Sequence, residues 1–397
     1  MNYASIVPLI GGETIAMANV FGKEPEYILS YEAFTNNDKH LLHYYKTVPY
    51  KLVDGDGVAE LNVPRVDVVN TVCPCAGLSS LSPSSASDNS ANDWMLNTSK
   101  LVLEQIQPQV FWGENAPRLA SKMGSPVVEK LREVAKQNGY TLSIFKTKSI
   151  LHGLSQVRDR AFYFFWKGDR IPVFPYIKRE HETIEETIRS VKRDPSDPMN
   201  VLTNTRIPSE NPYYKFVLEE MCGGMTHKQF QEHIDKTMNP MDYIEKNGVS
   251  YMEVSKWMES NDFPKQAERC KIMYEKLNKG MNIMRKLVTI PKTQIGAFVG
   301  HLPSALTHPD EDRFLTIREC LTIMKMPTDF NLVGGLSNLN HICQNVPVTT
   351  AMDMAEAIKD HLDGKLDTIT SNFAMQDNKN RSIEYEKNSL QLDEFMV

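Results

Sequence analysis

Short apolar runs alternate with stretches of helical periodicity over the first 165 residues. Residues 5–10, 27–31, 66–72, 109–112, 141–145 and 161–166 are apolar runs of strand length. Near-continuous runs of this kind fit strands buried on both faces. Between them, residues 13–21, 97–105 and 126–138 carry the pattern of helices. The alternation predicts a mostly parallel sheet with helices on both faces, and ligands bound beyond the carboxyl ends of its strands.

The pattern changes after residue 167. Helical signals dominate at 182–193, 227–237, 251–259 and 265–287. In the last of these, Cys270, Tyr274, Leu277, Met281 and Met284 repeat at spacings of four and three, which predicts one apolar helix stripe packed in a core. Compact patterning returns with helices expected at 316–324 and 350–362. Residues 366–397 are polar and Asn-rich, which predicts a flexible tail. The chain therefore divides into 1–167, an inserted region 168–300, a return segment 301–365 that completes the first domain, and the tail 366–397.

Composition narrows the class. With 41% hydrophobic and 24% charged residues, the chain can bury a core and remain soluble. No apolar run reaches the ~20 residues of a membrane span. The apolar N-terminus has no basic region and carries Glu13 in its middle, so it reads as folded protein and not as a signal peptide. Six cysteines without a CxxC pair argue against a disulfide scaffold or a metal site, and for a reducing, cytoplasmic compartment. The net charge of −6 argues against nucleic-acid binding by the whole surface. The balance is uneven: residues 168–300 carry 20 Lys+Arg against 19 Asp+Glu, the remainder 24 against 31. That permits a DNA-facing middle segment.

Candidate chemistry clusters at the ends of the expected strands. Thr71-Val72-Cys73-Pro74-Cys75-Ala76-Gly77-Leu78-Ser79 runs from a strand into a turn that would expose the Cys75 thiol. Cys73, on the strand side of Pro74, is expected to pack inward. A second strand ends in Glu114-Asn115. A third segment, Gln156-Val157-Arg158-Asp159-Arg160, places two arginines at i, i+2 spacing, which in a strand directs both to one face. A Gly11-Gly12 turn follows the first strand, and Glu32 ends the second. Together these are the usual means of holding an adenosine and its ribose hydroxyls.

These residues resemble, in order, the motifs of the DNA cytosine-5 methyltransferases, over residues 4–166 and 313–362. Pro74-Cys75 with Gly77 and Ser79 is similar to the family's Pro-Cys-Gln-Gly-x-Ser loop, and Glu114-Asn115 to its Glu-Asn-Val element. Gln156-x-Arg158-x-Arg160 matches its Gln-x-Arg-x-Arg element in full. Arg318-Glu319 with Met326-Pro327-x-Asp329-Phe330 is similar to its later Arg-Glu element, and Asn345-Val346-Pro347 to the end of its Gly-Asn-x-Val-Pro element. The spacings Cys75 to Glu114 and Glu114 to Arg160 are 39 and 46 residues. This chain departs from the family at Val7-Pro8-Leu9-Ile10, where an aromatic and one glycine are missing. It departs again at Ala76, at Asn92-Asp93-Trp94-Met95, and at Cys343-Gln344.

The resemblance implies a class I methyltransferase, a Rossmann-like α/β sheet, with an inserted, mainly helical target-recognition region. It implies S-adenosylmethionine as cofactor and double-stranded DNA as partner, the protein acting as a monomer in a bacterial or phage-infected cell. In that scheme Cys75 adds to carbon 6 of a flipped-out cytosine, Glu114 engages the N3 edge, and Arg158 and Arg160 hold the carbonyl side. Gly77, Ser79, Asn115 and Gln156 would shape the base loop. Gly11, Gly12, Glu32 and Pro74 would hold the cofactor, with Asp54 or Asp56 at the adenine amino group. The rival reading is a silent or altered-cofactor DNA-binding homologue. The family's RNA branch carries a Cys-Phe-Thr string that is absent from this chain. Finally, Gln391, Leu392 and Phe395 near the C-terminus resemble the peptides that bind replication sliding clamps.

Overall fold

The computed structural model describes residues 1–54, 61–73, 78, 89, 92–285 and 287–386. Asp56, Pro74, Cys75, Gly77 and Ser79, and the tail residues Gln391, Leu392 and Phe395, lie outside the described residues. Packing divides the chain into two compact units. One comprises Met1–His181, Met324–Met326 and Gln344–Val397, the other Glu182–Ile323 and Pro327–Cys343.

The first unit opens with β1 (Tyr3–Ile6), α1 (Gly12–Phe21), β2 (Ile28–Ser30), α2 (Thr35–Tyr44), β3 (Tyr50–Leu52) and β4 (Val68–Thr71). It continues through α3 (Asp93–Leu101), β5 (Val110–Asn115), α4 (Ser125–Gln137), β6 (Tyr140–Lys148), β7 (Gln156–Val157), β8 (Asp159–Lys167) and β9 (Arg170–Pro172). The main sheet has nine strands. From β3 the order runs β3-β2-β1-β4-β5-β8-β6, and two further strands from the end of the chain lie beyond β6. β3, β2, β1, β4 and β5 are mutually parallel, and β8 runs antiparallel between β5 and β6. The order reverses between β1 and β4. At such a point helices leave to opposite faces and the strand ends open a crevice.

Each expected apolar run contributes a strand because its residues fill the sheet interior, although the first, expected at 5–10, ends at Ile6 and residues 7–10 form a loop. Phe111, Trp112 and Phe162 through Trp166 are buried. Phe111 stacks on Phe165 with centroids 5.6 Å apart, and Trp112 on Phe164 at 6.0 Å. Such cross-strand pairs add ~0.5–1.5 kcal/mol beyond burial and fix the register of β5 against β8.

The second unit is mainly helical: α5 (Ile184–Arg189), α6 (Pro212–Phe216), α7 (His227–His233), α8 (Pro240–Lys246), α9 (Tyr251–Ser260) and α10 (Pro264–Asn278). A two-residue strand β10 (Ile295–Gly296) and helices α11 (Ile317–Ile323) and α12 (His341–Gln344) follow. Local sequence starts several of these helices. Thr183, Thr226 and Ser250 each close a capping box with Glu186, Gln229 and Glu253, and Pro240 and Pro264 occupy first turns. Residues 301–323 and 327–343, expected to return to the first domain, pack within this unit. The apolar stripe is shorter than its periodicity suggests. α10 ends at Asn278, and Met281 and Met284 are 52% and 76% exposed. Gly280, at φ 69°, turns the chain before the stripe is complete.

The chain returns to the first unit with α13 (Val348–Leu362), β11 (Thr368–Thr370), β12 (Phe373–Asp377) and β13 (Ser382–Tyr385). The tail expected from residue 366 is therefore ordered through Tyr385: β12 pairs parallel to β6, and β13 closes that edge. Polar side chains anchor it. Gln376 exchanges two hydrogen bonds with the Phe174 backbone, at 3.0 and 2.6 Å, and Asn378 accepts from the Ile177 amide at 2.7 Å. Among the described residues no helix is long and apolar enough to cross a membrane.

Candidate active site

The candidate site residues lie at the ends of β1, β4, β5 and β8. After β1 the chain makes a tight loop with Val7 and Leu9 both at φ 52° and Gly11 at φ 100° before α1 begins. Side chains rarely tolerate positive φ, so three such positions in five residues mark a loop held by its surroundings. A side chain on Gly11 would strike Leu41, and one on Gly12 would strike the Val346 carbonyl and Asn345. The Gly12 amide donates to Asn345 Oδ1 at 2.9 Å. The close approach the two glycines allow is thus of α2 and of the Asn345-Val346-Pro347 segment.

At the end of β4, Cys73 is buried, 3.3 Å from Thr71 Oγ1. Burial pushes its thiol up, the opposite of what a nucleophile needs. At the end of β5, Glu114 is buried and ion-paired to the Arg160 guanidinium on β8. Register explains the meeting: Asn115 pairs with Ala161, beside Arg160. Arg160 remains partly exposed, with 14% of its side-chain surface open. Arg158 is buried, and its carbonyl accepts from the Ser149 amide at 3.0 Å, which closes the loop between β6 and β8. The strand breaks at Arg158 between β7 and β8, so strand alternation does not carry from one arginine to the other. Asn115 and Gln156 are buried, and their amide groups lie 3.5 and 3.3 Å from the sulfurs of Met95 and Met324.

On the other side of the switch point, Glu32 is exposed at the end of β2, where it opens a short turn to Phe34. Tyr31, Phe34 and Trp94 cluster there, Trp94 lying 4.9 and 5.0 Å from the other two rings. Asp54 is exposed beyond β3. Sequence reasoning missed Asp38 on α2. It is buried and accepts from the Tyr50 hydroxyl at 3.0 Å. Burial pushes its carboxyl up to about 6, against hydrogen bonds that hold it back. The unfolded chain releases this proton near pH ~4, before the folded chain does. Stability should therefore fall as pH rises from about 4 to about 6 and level off above. In Asp38→Asn the thermal midpoint, relative to wild type, should rise across that window; parallel curves would show that Asp38 does not titrate there.

A sequence profile of C-5 cytosine-specific DNA methylases matches residues 1–360. The chain belongs to that family. It is 23% identical over 349 residues to DNA (cytosine-5)-methyltransferase 3 of Arabidopsis thaliana, covering 75% of this chain but only 23% of that protein. It is 22% identical to the type II methyltransferase M.AgeI of Thalassovita gelatinovora, over 87% of this chain and 92% of that one. Among solved structures, the Entamoeba histolytica methyltransferase EhMeth superposes with a TM-score of 0.55 at 12% identity, covering 91% of this chain and 98% of that one. The nine-stranded sheet is accordingly the class I methyltransferase fold the motifs implied.

Within this cytosine-specific methylase the Arg-Glu element is a structural anchor. Arg313 binds both oxygens of buried Glu319 at 2.8 and 2.9 Å, and Glu319 also accepts from the Thr316 amide at 2.7 Å. Arg318 reaches both oxygens of Asp197, at 2.7 and 3.0 Å, and the Phe330 carbonyl at 2.8 Å. A second anchor gave no sequence signal. Fully buried His152 joins Asp353 of α13 at 2.6 Å and Thr147 of β6 at 2.6 Å, pinning the loop that carries Gln156 and Arg158.

Proposed function

We propose that the chain transfers a methyl group from S-adenosylmethionine to carbon 5 of cytosine in DNA, with Cys75 as covalent nucleophile. The observation that carries this reading is the buried Glu114–Arg160 pair at the strand ends, one strand away from β4, which leads into Cys75. Carbon 5 of cytosine is a weak nucleophile until a thiolate adds at carbon 6 and makes the ring an enamine. Glu114 would meet N3 and the amino group of the extruded base, and Arg158 and Arg160 would hold its carbonyl side and the charge that develops. Gln156 and Asn115 would brace these groups, with Gly77 and Ser79 in the loop over the base.

The residues at these strand ends suit S-adenosylmethionine. Glu32 offers an unburied carboxylate for two ribose hydroxyls, beside the Phe34 and Trp94 rings, and Asp54 or Asp56 would take the adenine amino group. Gly11 and Gly12 shape the turn beneath the methionine part, and Pro74 would lie against the cofactor. When bound, the cofactor supplies an electrophilic methyl. Residues 168–300, largely helical and near charge balance, would read the DNA sequence.

Direct modification sequencing of DNA from cells expressing the chain tests this. The expected result is 5-methylcytosine at one short recurring sequence. Unmodified DNA, with DNA binding retained, would overturn the reading in favour of a silent homologue.

A further inference from the structure

Glu13 has no place in the chemistry above, yet it is fully buried and neither of its carboxylate oxygens makes a well-formed hydrogen bond. Buried polar groups are nearly always paired, so an orphaned carboxyl asks for a cause. It is the second residue of α1, directly after the Gly11-Gly12 turn.

Strand register shows what it adjoins. Ser5, Asn70 and Trp112 stand side by side on β1, β4 and β5. Side chains alternate along a strand, so Glu114, two residues beyond Trp112, shares their face. Thr14, next to Glu13, lies 2.8 Å from Ser5 Oγ and accepts from Asn70 at 3.4 Å, so α1 covers that face. Glu13 and Glu114 are thus two acids on one side of the sheet at the carboxyl ends of its strands.

Their surroundings differ. Glu114 has the Arg160 guanidinium, whereas Glu13 makes no ion pair among the described residues. Burial, and then the neighbouring Glu114, push the Glu13 carboxyl well above the usual carboxylate range, against a weaker hydrogen-bonding pull from the Asn70 side chain. Glu13 in turn acts on the Cys73 thiol after β4 and the Tyr163 hydroxyl of β8, both pushed up first by burial. From α13, which also packs on α1, Lys359 is turned to the Val20 carbonyl, and Asp353 to His152 and Arg179. Of the two neighbouring carboxyls, Glu13, buried without a counter-ion, is the one that holds its proton.

We propose that Glu13 is a positioning residue acting through Glu114, the member of a buried carboxyl pair that has no counter-ion among the described residues, beside the acid held by Arg160. This rests on the reading of Glu114 as the acid that meets the base. Ionising Glu13 sets a negative charge on the same face, where it competes with Glu114 for Arg160. Activity therefore ends on the alkaline side when Glu13 loses its proton.

The test uses the full chain, with labelled methyl transfer to DNA and thermal unfolding, each across a pH series. Wild type should show an alkaline fall in kcat/KM. Glu13→Gln should match it within about twofold at neutral pH and lack that fall. Glu13→Met, neutral without polar atoms, should lack it too; an unchanged alkaline limb in both variants overturns the proposal. Unfolding gives a readout that does not depend on methyl transfer. The folded chain keeps a proton that the unfolded chain releases above about pH 4.5. Wild type should therefore lose stability relative to Glu13→Gln as pH rises, and this loss should shrink in a Glu114→Gln background. Equal losses in both backgrounds would show the carboxyls to be uncoupled and would reject the pair. Absence of methyl transfer together with coupled unfolding would instead reject the function and keep the pair.

Discussion

Cys75→Ser is expected to abolish the covalent complex that the wild-type chain forms with DNA containing 5-fluorocytosine. Fluorine at carbon 5 blocks the elimination that would release the enzyme, so the thioether to carbon 6 persists and survives denaturing electrophoresis. A serine hydroxyl at neutral pH is a far weaker nucleophile than a thiolate, so methyl transfer should fall by on the order of 10⁴-fold or more. Cys73→Ser should keep the adduct, because Cys73 is buried against Thr71 with its thiol pushed toward the neutral form. Trapping that persists in Cys75→Ser would move the nucleophile elsewhere.

Breaking the Glu114–Arg160 pair from its two sides should give two different losses. Glu114→Gln keeps shape and burial but removes the acid that meets the base, so kcat should drop ~10²–10⁴-fold with little change in the thermal midpoint. Arg160→Ala leaves a carboxylate that is only 3% exposed without its counter-ion. Removing one partner of a buried pair costs about 3–5 kcal/mol, so this variant should lose both activity and stability. Steady-state kinetics beside thermal unfolding separates the cases. A midpoint in Arg160→Ala equal to wild type would mean that the pair does not hold the strand ends together.

Several elements escaped the sequence for identifiable reasons. β3 is three residues long, has a single neighbour in β2 and contains Lys51, so it carries no apolar run. β12 and β13 sit at the other edge and are held by Gln376 and Asn378 bonding to distant backbone, which composition reads as a polar tail. Gly280 was a local stop signal within the last apolar stripe, outweighed by the periodicity of the methionines beyond it.

By itself the sequence determined the order of buried strands and helices, because a strand buried on both faces must be apolar along its whole length. It also located Glu114 and the two arginines near strand ends, because motif spacing follows chain connectivity. Only the tertiary structure decided which side chains share a face and a charge. The Glu114–Arg160 pair depends on β8 lying antiparallel against β5. The anchoring of Arg318 and Glu319 depends on Asp197 and Arg313 being folded onto them. The isolation of Glu13 depends on α1 covering the sheet. Burial sets the cost of a charge, and burial is a property of neighbours that one dimension of sequence does not specify.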